Sequence, residues 1–142
     1  MKNVFFTMVV VVFTTPIFAQ SGHIEVTITG IQNTNGTIEI GVYDSKSSFP
    51  NYGNAIKVAR VQPKKKGSLK HTFENLPDGT YAVAVWHDVN GNREIDKNIF
   101  GAPKEAYGFS KNNFGTFGPP NFKDVSFAIE NGERVPLTIN LK

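Results

Sequence analysis

Apolar residues in this chain recur at every second position, in short runs separated by turn signals, and never at helical spacing over a useful length. Ile24, Val26 and Ile28 alternate with Glu25, Thr27 and Thr29; Ile38, Ile40 and Val42 repeat the pattern. Leu69, His71 and Phe73 follow it, as do Val125, Phe127 and Ile129, and then Val135, Leu137, Ile139 and Leu141. Side chains alternate across a strand, so each run has one face to bury and one to wet. Ala55–Val61 is a weaker run of the same kind. Tyr81–Trp86 differs, because every position is apolar, with alanines on one face and larger side chains on the other. That is the signature of a central strand covered on both sides. About seven strands therefore form one antiparallel β-sandwich, with one long irregular loop between the fifth and sixth.

The punctuation agrees. Asn35-Gly36 is a hairpin-type turn signal, and Lys64-Lys65-Lys66 between Pro63 and Gly67 reads as a solvated loop tip. The segment F-x-N-L-P-D-G-T-Y at Phe73–Tyr81 sets Gly79 in a tight turn and starts the next strand with a large ring. It resembles the L-P-x-G-x-Y hairpin of prealbumin-like and collagen-adhesin repeat domains, so the expected sandwich is Ig-like or prealbumin-like. A turn motif of this kind speaks to fold and not to activity.

The N-terminus carries a different signal. Lys2 precedes an apolar stretch from Val4 to Phe13, and small Ala19 stands before Gln20. The apolar run is about half the roughly 20 residues a spanning helix needs. Residues 1–19 are expected to be a cleaved signal peptide, leaving residues 20–142 as one domain without a membrane span. The location implied is secreted or periplasmic. Cleavage removes Lys2 and lowers the formal charge from +3 to +2, a mild balance with no aromatic-interleaved basic stripe, so nucleic acid is not an expected partner. The chain has no cysteine, which removes thiol nucleophiles and thiolate metal sites.

Residues 87–121 show no periodicity. A loop of that length in a compact domain is usually functional or disordered. This one holds Ile99, Phe100, Tyr107, Phe109, Phe114, Phe117 and, just beyond it, Phe122, too much apolar surface to leave in water. It is expected to pack back over one end or face of the sandwich and to carry the function.

At its start, Asp88, Asn90, Asn92 and Asp96 stand at spacings of two, two and four. Alternate oxygen side chains of this kind open calcium loops, wrapping a hard cation that takes six to eight oxygens. Glu94 or Glu105 would have to complete the shell, because Ile99 occupies the position of a closing bidentate glutamate and Arg93 that of the turn glycine. The competing reading is a turn held by Asx side chains with no ion. Both stay open at this point. His87 beside Asp88 suggests acid–base chemistry, yet strand neighbours face opposite ways, and no nucleophile motif accompanies them. A hydrolase using His87 and Glu105 ranks last, and the chain is read as non-enzymatic. Trp86, His87, Tyr107 and Phe109 are the candidates for contacting a glycan, peptide or protein ligand.

H-D-x-N-x-N at His87–Asn92, with Asp96, is followed by F-G-x-P-K-E-x-Y-G-F-S at Phe100–Ser110 and P-P-x-F at Pro119–Phe122. These motifs together resemble the domain-of-unknown-function family 2141, small secreted bacterial β-proteins. The resemblance implies an exported single-domain protein and supplies no activity. That family usually places glycine where this chain has Arg93. The reading is a secreted binding or interaction module, with calcium as its one candidate cofactor.

Overall fold

The computed structural model describes residues 21–142. The expected signal peptide lies outside the described residues. Eight strands appear: β1 Gly22–Ile31, β2 Thr37–Tyr43, β3 Lys57–Val61, β4 Gly67–Leu76, β5 Gly79–Asp88, β6 Tyr107–Phe109, β7 Phe127–Ile129 and β8 Arg134–Asn140. One short α-helix, α1, spans Phe122–Val125, and single 3-10 turns lie at Tyr52–Asn54 and Ser110–Asn112. The smaller sheet has the order β4-β1-β8. In the larger, β3-β2-β5, the far edge of β5 is shared by β7 along Gly79–Tyr81 and by β6 along Ala84–Trp86.

The inward faces are those the alternation marked. Ile24, Val26 and Ile28 of β1 meet Ile38, Ile40 and Val42 of β2, with Tyr81, Val83 and Val85 of β5 and Ile139 of β8. Burying each such aliphatic side chain contributes about 1.5–3 kcal/mol, which is what fixes the register of each strand. Every pairing is antiparallel except one: β1 and β8 run parallel, from His23 opposite Arg134 to Thr29 opposite Asn140. The chain between them builds the larger sheet as well as β4, and that supplies the long crossover parallel neighbours require.

Three local expectations change. Asn35-Gly36 does not close a hairpin, because β1 and β2 belong to different sheets. The turn carries the chain across the core, and Gly36 (φ +64°) packs so tightly that a Cβ would fall 1.8 Å from the Asp88 carbonyl oxygen. The Leu76-Pro77-Asp78-Gly79 turn likewise joins the two sheets. Its Tyr81 hydroxyl donates to the Pro77 carbonyl (2.7 Å), and Asp78 accepts the amides of Asn131 and Gly132 (2.8 and 2.9 Å). Finally, Val125 ends helix α1 instead of opening a strand. One helical turn delivers Val125 into a buried site, and the strand begins at Phe127.

The long loop is also shorter than expected. Strand β5 continues through His87 and Asp88, and β6 divides the remainder. Tyr107 exchanges backbone hydrogen bonds with Lys142, both at 3.0 Å, stitching β6 to the chain just past β8. Gly108 permits that approach, since a Cβ there would stand 2.6 Å from the Ile139 side chain.

A second, smaller core lies on the outer face of the larger sheet. Tyr43, Ala82, Ala84, Phe109 and Val125 are buried there, with Phe49, Tyr107, Phe114 and Phe122 packed against them. Phe49 meets Tyr43, Phe109 and Phe122 edge-on, with ring centroids 5.3, 5.8 and 6.0 Å away. The alanine face of β5 is thus covered, as its composition required. Ile99, Phe100 and Phe117 depart from the expected packing and stand almost fully in solvent, at 94, 88 and 101 % exposure.

Candidate functional site

The pleat of β5 sends Ala82, Ala84, Trp86 and Asp88 to the outer face of the larger sheet. Register then aligns side chains across three strands. Glu39 of β2, Trp86 of β5 and Tyr107 of β6 form one row; Gly41, Ala84 and Phe109 form the next. Above these rows lies a cleft of about 1100 Å³. Tyr43, Trp86, Tyr107 and Phe109 contribute to its floor, the segments 93–97 and 100–103 form one wall, and 115–119 form another. Phe100 and Phe117 stand on these separate walls. Of the residues singled out as ligand contacts, Trp86, Tyr107 and Phe109 come together here.

His87 does not join them. It points to the opposite face, buried, with Nε2 at 2.7 Å from the Asn35 carbonyl oxygen, which makes that nitrogen the donor. The pleat that separates His87 from Asp88 also keeps the imidazole away from the cleft floor.

The end of the floor row is polar. Glu39 is fully buried and accepts hydrogen bonds from the Thr37 hydroxyl (2.7 Å), the Tyr52 hydroxyl (2.7 Å) and the Arg60 guanidinium. Burial pushes the Glu39 carboxyl up, but the bonds from Arg60, Thr37 and Tyr52 outweigh it and hold the group below its ordinary value. Burial first, and then the neighbouring carboxylate, push the Tyr52 hydroxyl well up, so it stays a donor. Its ring packs edge-on against Trp86 with centroids 4.5 Å apart. The Trp86 indole N–H is buried with no hydrogen-bond partner among the described residues.

Sequence reasoning missed Glu39, Tyr52 and Arg60. A usable signal was present: Glu39 shares a face of β2 with Tyr43, and that face adjoins a strand already read as covered on both sides. A carboxylate there had to be buried and hence paired.

The oxygen-rich stretch forms part of one cleft wall, and its side chains converge. Asp88, fully buried, accepts the Gly91 amide at 2.7 Å on Oδ1 and the Arg93 amide at 2.9 Å on Oδ2. The Asn90 and Asn92 carbonyl oxygens accept the amides of Asn92 and Glu94 (3.0 and 2.9 Å). Their NH₂ groups donate to the two oxygens of Asp96 (2.6 and 3.2 Å). Glu105 reaches in from the segment preceding β6, accepting the Val89 amide at 2.9 Å and the Asp96 amide at 3.3 Å. Glu94 is exposed, as Asn90 and Asn92 are, and its carboxylate takes part in none of these bonds. Each oxygen of Asp88, Asn90, Asn92, Asp96 and Glu105 thus already accepts an N–H from this stretch. Among the described residues, no group of three or more His, Asp or Glu side chains is arranged to hold a metal ion. Arg93 sits at φ +66°, the left-handed region that favours glycine.

The family model described as an uncharacterized protein conserved in bacteria, DUF2141, matches residues 26–136, and the chain belongs to that family. No curated protein and no solved structure matches it.

Proposed function

For this DUF2141 protein we propose a non-catalytic binding role at or beyond the cell envelope, with a carbohydrate or peptide ligand seated in the cleft over the larger sheet. The observation that carries this reading is a cleft lined by the aromatic residues Trp86, Tyr107 and Phe109 together with two solvent-exposed phenylalanines, Phe100 and Phe117, from separate segments of the chain. Ligand sites are typically concave and mostly apolar, with a few polar groups, and large apolar side chains left in water beside such a site mark a contact surface. Binding rather than catalysis is supported by how the acid–base candidates are used. His87 is committed to a backbone carbonyl on the far face, and Glu105 to two backbone amides. The same reading takes Asp88 to Asp96 as a self-closed turn that holds one wall with no need of calcium, supported by the N–H that each side-chain oxygen of Asp88, Asn90, Asn92 and Asp96 accepts.

Export through residues 1–19 belongs to this reading and is checked by N-terminal sequencing of protein recovered from cell fractions. Binding is tested on peptide and glycan arrays with wild type beside a Phe100→Ser/Phe117→Ser variant of unchanged melting temperature. A ligand of either class whose binding falls at least tenfold in the variant is the expected result. Ligands bound equally by both proteins would place recognition elsewhere and overturn the reading.

A further inference from the structure

We infer that the occupant of the cleft is an extended peptide segment bearing large apolar side chains, an inference that rests on reading the cleft as the binding site. Sugar recognition requires acceptors for hydroxyl protons, usually carboxylates or amides with free oxygen lone pairs. Among the carboxylates and amides lining this cleft, Glu94 alone keeps a carboxylate with no hydrogen bond from the described residues, and the oxygens of Asp96 and Asn51 each already accept one N–H. Both Asp96 oxygens take the NH₂ groups of Asn90 and Asn92, and the Asn51 side-chain oxygen at the other end takes the Gly53 amide.

What the rim offers instead is apolar. Phe100 and Phe117, at 88 and 101 % exposure, both line the cleft and come from separate segments of the chain. Apolar side chains of a bound segment would cover these rings, which is how exposed aromatic anchors act in protein recognition. Charge separates a peptide from a hydrocarbon chain. Arg93, Glu94, Asp96 and Lys97 put both signs along one wall, complementary to the mixed polar groups of a polypeptide and useless to an acyl tail.

The floor adds a donor. The Trp86 indole N–H lacks an acceptor, and a peptide carbonyl is the acceptor such a segment supplies at regular intervals. The N–H is buried and Tyr52 packs edge-on against the indole, so a carbonyl that reaches it must change the surroundings of the ring, and Trp86 emission should then respond to binding.

The test uses the mature chain and a displayed library of random linear peptides, beside a panel of neutral oligosaccharides. Trp86, the single tryptophan, reports on the cleft floor. Expected are enriched peptides with at least two large apolar residues that change Trp86 emission. Their affinity should drop about tenfold on Phe100→Ser or Phe117→Ser, a size usual for a truncated anchor, while both variants keep the wild-type melting temperature. If only oligosaccharides change the emission, in a manner lost in these variants, the cleft stands as the site and the peptide inference falls. If peptides bind without dependence on Phe100 or Phe117, or neither class alters Trp86, the cleft reading and this inference fall together.

Discussion

Replacing Asp88 with asparagine tests how the oxygen-rich stretch is held. Asp88 is fully buried at the end of β5, and its two oxygens separately accept the amides of Gly91 and Arg93. Each is a charge-assisted hydrogen bond worth about 1.5–3 kcal/mol. Asparagine is isosteric but keeps one acceptor oxygen, so it retains one bond and turns an NH₂ group toward the other amide. The expected loss is about 2–4 kcal/mol, one such bond plus the cost of two facing donors. For a domain of this size that lowers the melting temperature by about 8–16 °C. Equilibrium urea unfolding followed by Trp86 emission gives the free energy, and the experiment is run in chelator and again in millimolar calcium. Because the Asp88 oxygens are already engaged, each protein should unfold at the same urea concentration in both buffers. A calcium-dependent rise in the wild-type midpoint that disappears in Asp88→Asn would refute the argument. A cation binding only the folded state stabilises it by mass action, and the loop would then be an ion site. A loss below about 0.5 kcal/mol, the size usual for surface substitutions, would refute it differently.

Gly36→Ala should cost about 2–5 kcal/mol, combining strain at φ +64° with collision against the Asp88 carbonyl; a melting temperature within 2 °C of wild type, judged at roughly 4 °C per kcal/mol, contradicts this. Arg93→Gly should stabilise by about 0.5–1 kcal/mol by relieving an exposed non-glycine residue at φ +66°, and an unchanged urea midpoint would show that the arginine side chain compensates for its own strain. Glu39 has a lowered folded-state pKa, so its contribution is complete above the unfolded carboxylate value and is lost as pH falls through the lower folded value. Below about pH 4.5, wild type should therefore lose stability more steeply than Glu39→Gln, which lacks that titration; parallel acid-unfolding profiles would mean the Thr37–Tyr52–Arg60 network does not depend on the charge.

Much of the architecture was legible because it rests on period two. The inward residues of β1, β2, β5 and β8 all lie where alternation placed them, and the alanine face of β5 announced a second covered surface. Asx-rich spacing marked the turn after β5, and the clustered aromatics marked the cleft floor. Which turns cross between sheets was not legible. Asn35-Gly36 has the same local chemistry whether the next strand pairs beside the first or faces it across a core. Val125 shows the same limit, since an apolar residue two positions before Phe127 fits a strand and the last turn of a short helix equally well.

Side-chain period and turn chemistry are properties of neighbouring residues, so the sequence by itself determined that this chain is all-β, where most of its strands lie and which face of each of those is buried; the short β6 and the helical turn at Val125 were not marked by it. Partnership between distant residues is decided only when the strands pair. The parallel β1–β8 pair, the burial of Glu39 against Tyr52 and Arg60, the separation of His87 from the cleft, and the exposure of Phe100 and Phe117 above Trp86 came from tertiary structure alone. Each depends on what lies across a sheet or above its face, and those contacts join residues tens of positions apart that no local pattern links.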